Sequence, residues 1–435
     1  MEEADIMIVD CAILPMDTRG FVKKGLVALK DSAIIHVGKQ AGAPKIRAKR
    51  TIDGCGKVAL PGLINCHTHL SMTLFRGIAE DQPLKTWLTE TIWPLEARLH
   101  PEDVYAGALL GCVEMIKTGT TTFADMYFHE DQVAKAVQKA GLKAVLSQAV
   151  IETGNKGLDE KIFEDSLDFV RSYKNYADDR VIPCLGPHAV YSCNPSLLTR
   201  IRESATELRV GIHIHLAESL EMAKRIEKEH GLTEVQLLEK LNFLNSDVLA
   251  AHCIHLSKHE MRTLAKHHVK VAYNPVANMK LAQGTPKIND LLQQGVTVGI
   301  GTDGPASNNS LDMLQTTKIG ALLQKQHYHD PTVLPSSSML RMATIEGAKA
   351  LGLEKSVGSL EVGKKADVIL INLKKPHLTP IHNPYANIVY SANGSDVDTV
   401  IVNGRILMED QELRTLNEKE ILEKADKTAQ DLLAR

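Results

Sequence analysis

VALPGLINCHTHL, residues 58–70, is the stretch on which the fold turns: an apolar run interrupted by Pro61 and Gly62 ends in two histidines, His67 and His69, and the text on its two sides differs in kind. Upstream, IMIVDCAIL (6–14) and GLVALKDSAIIHVG (25–38) are short apolar strands broken by Gly and Asp with no helical period, which predicts β-structure alone. Downstream, apolar strand, polar turn and amphipathic helix follow one another again and again, the pattern of parallel βα units.

Counted outward from residue 58, eight strands are expected: 58–66, 120–126, 143–152, 180–189, 210–217, 247–255, 269–275 and 296–304. Eight is the number of the parallel barrel. Helices are expected between them, among them PEDVYAGALLGCVEMIKTG (101–119), with Pro in its first turn and Gly closing it, and LTEVQLLEKLNFL (232–244). After the helical SMLRMATIEGAKALG (338–352) the text returns to strands, ADVILINL (366–373) and VDTVIVNGRIL (397–407), the latter with the hairpin signal Asn403-Gly404. The expected fold is therefore α/β: a distorted (β/α)8 barrel over 58–357 and a small β-sandwich domain made from both chain ends, 1–57 and 358–435. A chain of 435 residues suits that division better than one compact sandwich.

Composition excludes several classes. Apolar residues at 44% and charged residues at 24% are ordinary globular usage, so neither disorder nor a fibrous repeat is indicated. The formal net charge is −3 with Lys and Arg dispersed, which gives no electrostatic support for a nucleic acid or membrane partner. MEEADIMIVD has neither the basic start nor the apolar middle of a signal peptide, and no run is long enough to span a bilayer, so a cytoplasmic location is expected. The seven cysteines, at 11, 55, 66, 112, 184, 193 and 253, never form C-x-x-C and read as reduced core residues.

The polar clusters fall at the C-terminal ends of the expected strands, the face on which barrel active sites are built. His67 and His69 close the first strand two positions apart, so the pleat turns both imidazoles to one side, where neutral nitrogens suit Zn²⁺, Fe²⁺ or a related ion. In GIHIHLAES, His213 and His215 repeat that spacing; His215, nearer the strand end, is the better ligand candidate, while His213 reads equally as a buried histidine that packs or supports a ligand and as one with a direct role. Glu218 follows three residues later, a carboxylate placed for proton exchange with a substrate, or else a helix N-terminal acid complementing the dipole. AAHCIH brings His252 to the end of the sixth strand, a candidate to steady a developing oxyanion, and GIGTDG brings Asp303 to the end of the eighth, where a carboxylate in an apolar run needs a cation or a partner.

ALPGLINCHTHL, GIHIHLAES, AAHCIH and GIGTDGPASNNSLDM together resemble the amidohydrolase superfamily over nearly the whole chain. Within it, HLSMTLFRGIAEDQPLKTWLTETIWPLEARL, TGTTTFADMYF and GPHAVYSC are similar to the group that deaminates 5′-methylthioadenosine and S-adenosylhomocysteine. The resemblance implies one divalent metal per subunit, Zn²⁺ ahead of Fe²⁺ or Mn²⁺, on His67, His69, His215 and Asp303. The fourth strand, VIPCLGPHA, carries no lysine that could be carboxylated to bridge a second ion. It further implies Glu218, His252 and Asp303 as catalytic groups, and Glu96, His188, Glu218, Asp303 and Trp87 around the substrate, Glu96 at the ribose hydroxyls. Without the family, Glu96 reads as the partner of Lys85 or Arg98 on a solvated helix and Trp87 as ordinary core.

The implied reaction is hydrolysis of the adenine amino group of a 5′-substituted adenosine to the inosine analogue plus ammonia, by an enzyme expected to form a homo-oligomer. No Arg occurs between Arg98 and Arg171, and Gln148, Lys156 and Lys161 occupy the region where relatives resemble one another in placing arginines for a carboxylate tail. A neutral 5′ group, as in 5′-methylthioadenosine or 5′-deoxyadenosine, is therefore expected ahead of S-adenosylhomocysteine. Two rivals are a guanine-, cytosine- or triazine-type aminohydrolase, which would have no use for Glu96, and a metal-binding scaffold without catalysis, which would have no use for Glu218 and His252.

Overall fold

The computed structural model describes residues 2–435. Strands β1 (Glu2–Ile13), β2 (Val22–Lys30), β3 (Ala33–Lys39), β4 (Ile46–Asp53) and β5 (Lys57–Pro61) precede eight more: β6 (Leu63–Thr68), β7 (Thr120–Tyr127), β8 (Lys143–Val150), β9 (Val181–Pro187), β10 (Ile212–Leu216), β11 (Val248–His252), β12 (Lys270–Tyr273) and β13 (Val298–Ile300). Strands β14 (Val368–Asn372), β15 (Val397–Val402), β16 (Arg405–Glu409) and β17 (Glu412–Leu413) follow.

Strands β6 to β13 lie side by side in chain order, every neighbouring pair parallel. Helices such as Pro101–Lys117 and Lys156–Tyr173 cross back between them. The ring closes between β6 and β13 through few bonds: the Asp303 N–H donates to the His67 carbonyl at 2.9 Å, the Thr68 hydroxyl donates to the Asp303 carbonyl at 3.0 Å, and the Asn65 side chain donates to Thr302 Oγ1 at 2.7 Å and accepts the Thr302 N–H at 3.0 Å. This is the expected eight-stranded barrel, and its seam runs through two of the candidate ligands.

Both chain ends contribute to one mixed sheet of nine strands, ordered β17-β16-β15-β14-β5-β1-β2-β3, with β4 on β1. The long β1 carries both halves, pairing with β4 over its first residues and with β5 at Ala12 and Ile13. Ile8, Ile13, Val27, Leu29, Val368 and Leu370 meet in the apolar core of this unit. Asn403 and Gly404, with φ of 49° and 74°, make the tight turn between β15 and β16 that their dipeptide signals.

Three expected elements are divided or shortened. The strand read over 58–66 is two: β5 pairs with β14, β6 enters the barrel, and the break falls at Gly62, where a Cβ would lie 2.0 Å from Thr121 Oγ1. The helix read over 338–352 parts at Ala343 and Thr344 into Ser336–Met342 and Ile345–Ala350. The helix read over 232–244 contracts to Glu234–Lys240, started by a capping box of Thr233 and Gln236. All seven cysteines are free; six are buried and Cys55 is exposed. A buried ion pair, Lys143 Nζ with both Asp367 carboxylate oxygens at 2.5 and 2.6 Å, ties the start of β8 to the end sheet. Among the described residues no helix is long and apolar enough to cross a membrane.

Candidate active site

At the C-terminal mouth of the barrel, β6, β10 and β13 deliver four side chains to one point. Asp303 Oδ1 stands 3.3 Å from His67 Nε2 and 3.3 Å from His69 Nε2, and His69 Nε2 stands 3.3 Å from His215 Nε2. The backbone permits this approach only because residue 301 is glycine: a Cβ there would meet Asn274 Oδ1 at 2.3 Å and the His67 nitrogen at 2.9 Å. Asp303 itself sits at φ 63° and His252 at φ 72°, left-handed conformations that cost non-glycine residues energy and concentrate at functional sites.

Each imidazole is held from behind. The Nδ1–H of His69 donates to the Met126 carbonyl at 2.6 Å and that of His215 to the His188 carbonyl at 2.7 Å, while His67 Nδ1 lies 2.8 Å from His213 Nε2. Ser307 donates to Asp303 Oδ2 at 2.8 Å, leaving Oδ1 to face the histidines. His67 Nε2 is buried without a hydrogen-bond partner, an orphan that water or a neighbouring group would normally satisfy. Two overlapping triads, His67 with His69 and Asp303 and His67 with His215 and His252, bring their ligand atoms within reach of one another, and three nitrogens, the orphaned His67 Nε2 among them, with the Asp303 oxygen fit a divalent ion of the Zn²⁺, Fe²⁺ or Mn²⁺ type. The protonation of this cluster follows its charges. Burial drives His67 down to about 4. Burial opposes the charge on His69 as well, but the Asp303 carboxylate outweighs it and raises that histidine to about 9.

Glu218 and His252 flank the cluster. Glu218 follows β10 and is buried, which lifts its carboxyl above the ordinary value against the pull of His252, whose Nε2 is 3.8 Å from Glu218 Oε1. His252 is oriented by Asn278, whose Oδ1 lies 2.8 Å from its Nδ1. Glu218 therefore keeps a proton nearer neutrality than a free carboxylic acid does, the condition for a general acid. It is not the cap of the following helix, whose N-cap is Ser219.

Two adjoining cavities open from this centre. One is lined by His69, His188, His215, Glu218, His252 and Asp303. The other, the outer cavity with respect to the cluster, is not lined by His215, Glu218, His252 or Asp303 but by Trp87, Glu96, Met126, Tyr127, Phe128 and Ile151 among others, and His69, Trp87, Leu88 and His188 border both. Trp87 and Glu96 reach the cavity from the segment Leu84–Glu96, which contains a π-helical turn, Trp87–Ile92. Pro94, lacking an N–H, cannot continue an α-helical ladder, and just before it the Trp93 N–H bonds five residues back to Leu88.

Every residue read from the sequence as ligand, catalytic group or substrate contact borders these cavities or the four-residue cluster. The plainer reading of Glu96 fails: Lys85 pairs with Glu221, and Glu96 lies in the cavity, where burial raises its carboxyl to about 7. That of Trp87 as a core aromatic holds, since it packs in the main apolar core at 5% exposure, but it is not the whole account. Trp87 lines both cavities with its indole N–H unpartnered. Burial brings His188 down to about 3, so it is neutral. His213 supports His67 and does not enter the cluster directly. Sequence reading passed over Tyr127, Tyr191, Asn278 and Ser307. Tyr127 ends a barrel strand and Ser307 follows Asp303 by one helical turn, signals that position alone could have supplied; Asn278 and Tyr191 carry no such mark.

Residues 58–407 match the family model described as "Amidohydrolase family". A 5-methylthioadenosine/S-adenosylhomocysteine deaminase of Moorella thermoacetica is 49% identical over 420 residues, 96% of this chain and 97% of that relative. A 5′-deoxyadenosine deaminase of Methanosarcina mazei is 45% identical over 433 residues, 99% of each. The crystal structure of an adenosine deaminase of Xanthomonas campestris with bound zinc superposes with a TM-score of 0.96 at 30% identity, covering 100% of both chains. With a barrel whose mouth gathers three histidines and an aspartate, and with this extent of similarity, the chain belongs to the amidohydrolase family.

Proposed function

We propose that the chain deaminates the adenine ring of adenosines carrying a neutral 5′ substituent, 5′-methylthioadenosine or 5′-deoxyadenosine, and that His67, His69, His215 and Asp303 hold the single Zn²⁺ that this reaction uses. The observation that carries the reading is the separation of two carboxylates along one passage. Glu218 stands with His252 and Asp303 at the inner cavity, and Glu96 stands at the outer one beyond Trp87, as a ring at one end and a ribose at the other require. The names of the relatives in Moorella and Methanosarcina agree with such a substrate.

The divalent ion, when bound, supplies the Lewis acidity that makes water a nucleophile near neutral pH. The chain's own groups do the rest. Asp303 takes a proton from the attacking water while Glu218 gives its proton to the ring nitrogen beside the amino-bearing carbon. Water oxygen adds to that carbon, and His252 hydrogen-bonds to the oxygen as charge gathers on it. The proton held by Asp303 passes to the amino nitrogen, the C–N bond breaks as the adduct's hydroxyl proton returns to Glu218, and ammonia leaves with the inosine-type product. Trp87 and the apolar wall of Met126, Phe128 and Ile151 exclude bulk water from the bound nucleoside.

The preference for a neutral 5′ group rests on what lines the outer cavity: apart from histidines, no cation borders it. Gln148 spends its Oε1 on the Glu130 N–H, Lys161 pairs with Asp165, and Lys156 is exposed at the start of its helix. A carboxylate tail would find no bidentate partner there. Ammonia release by the zinc-loaded protein, compared as kcat/KM over 5′-methylthioadenosine, 5′-deoxyadenosine, S-adenosylhomocysteine, adenosine, guanine and cytosine, tests the reading. Highest values for the first two are expected. Highest values for S-adenosylhomocysteine would refute the 5′ argument, and activity confined to free bases would refute the nucleoside assignment.

A further inference from the structure

His67 differs from the other two histidines of the cluster in what stands behind it. His69 and His215 donate Nδ1–H to backbone carbonyls, of Met126 and His188, and a carbonyl can only accept, so these two tautomers are fixed in one step. His67 faces His213 instead, Nδ1 to Nε2 at 2.8 Å, and an imidazole nitrogen can be donor or acceptor. Two imidazoles in contact leave the direction of the bond undecided unless something beyond them decides it.

Ser147 decides it. Its hydroxyl proton is committed to the Asp125 carbonyl at 2.5 Å, so toward His213 Nδ1, 3.3 Å away, the oxygen can only accept. His213 must then carry its proton on Nδ1, its Nε2 is bare, and it accepts from His67 Nδ1–H. His67 Nε2 is left as a lone pair facing the cluster. Reversing the wire would take the Ser147 proton from the Asp125 carbonyl and put a proton on His67 Nε2, where a metal ligand must be bare. Ser147, His213 and His67 are 0%, 1% and 0% exposed, so water does not compete for these bonds.

We propose that His213 is a positioning residue which, set by Ser147, locks His67 in the Nδ1–H tautomer and so makes it a metal ligand. The inference rests on the reading of His67 as a ligand, and partners of this kind behind metal-bound histidines are worth about 10–100-fold in metal affinity.

Two amide substitutions separate the ends of the wire. Glutamine reaches about as far as imidazole Nε2 and can still accept from His67; asparagine reaches only as far as Nδ1 and cannot. Zn²⁺ affinity is measured by competition with a chromogenic chelator for the full chain and for the His213→Gln and His213→Asn variants, with metal-free urea unfolding in parallel. His213→Gln should bind Zn²⁺ within about threefold of the parent and His213→Asn about 10–100-fold more weakly, with kcat of the Asn variant recovering at saturating metal. Equal affinities for the two variants, both retained or both lost, would overturn the inference while leaving the site intact. A parent protein that binds no zinc equivalent, or binds it unchanged after His67→Ala, would overturn the ligand assignment and this inference with it.

Discussion

Glu234→Gln should flatten the fall in stability between pH 4.5 and about 7. Glu234 opens the helix Glu234–Lys240, is 5% exposed, and accepts the Ala217 N–H at 2.7 Å, directly beside Glu218. Burial, reinforced by Glu218 and Glu260 and resisted by the Ala217 N–H, raises its carboxyl from 4.5 to about 7. Between those values the folded chain holds a proton that the unfolded chain has released, so stability is complete below about pH 4.5 and declines as pH rises through about 7. At about 1.4 kcal/mol per pH unit the loss reaches about 3 kcal/mol by pH 8. Glutamine keeps a carbonyl to accept the Ala217 N–H and has no proton to lose. Urea unfolding of metal-free parent and variant from pH 4.5 to 8, followed by far-UV circular dichroism, gives two curves whose difference cancels every titrating group they share. The variant should gain on the parent from pH 4.5 to about 7 and level off above it. Parallel curves would show that Glu234 ionises like a surface acid and would refute the reasoning.

Glu218→Gln should lower kcat by about 10²–10⁴-fold with zinc content unchanged, since it removes a proton donor and no ligand; a variant retaining more than a tenth of kcat would exclude Glu218 as the acid. Glu96 is raised to about 7 by burial, and its ionised form is the stronger acceptor for ribose hydroxyls, so kcat/KM should climb from pH 6 to 8 and Glu96→Gln should abolish the component centred near 7. An unchanged profile in that variant would remove Glu96 from the substrate. Asp367→Ala strands the buried Lys143 ammonium and should cost about 3–5 kcal/mol in urea unfolding, most of it restored by adding Lys143→Met. No restoration in the double variant would show that Asp367 acts through the Asn403 N–H that it also accepts.

The barrel was legible because parallel strands, buried on both faces, leave uninterrupted apolar text, and because a strand's last polar residues mark one end of the ring. His67, His69, His215 and Asp303 stand out for that reason. Glu96 and Trp87 do not: they lie on a short irregular helix, and only the family resemblance raised them above a solvated acid and a core aromatic. The division at Gly62 was hidden because β5 and β6 are both apolar, and hydrophobicity does not say which sheet a strand joins. The role of His213 depended on the distance to a serine 66 positions away, which spacing along the chain cannot express.

The closure of the barrel carries a consequence for handling the protein. Strands β6 and β13 meet through one backbone bond, the Thr68 hydroxyl on the Asp303 carbonyl and the Asn65–Thr302 exchange, the last between partners 237 positions apart, beside the cluster of His67 and Asp303. An ion held between those two residues, as proposed above, would act as a clasp on a very long loop, and the chain entropy it would remove is of the kind a disulfide removes. Stripping it by chelation leaves two sheet edges able to part and to pair with those of another molecule. Metal-free stocks should accordingly gain turbidity on storage before they lose helical signal, and zinc added before that point, but not after it, should preserve the monodisperse protein.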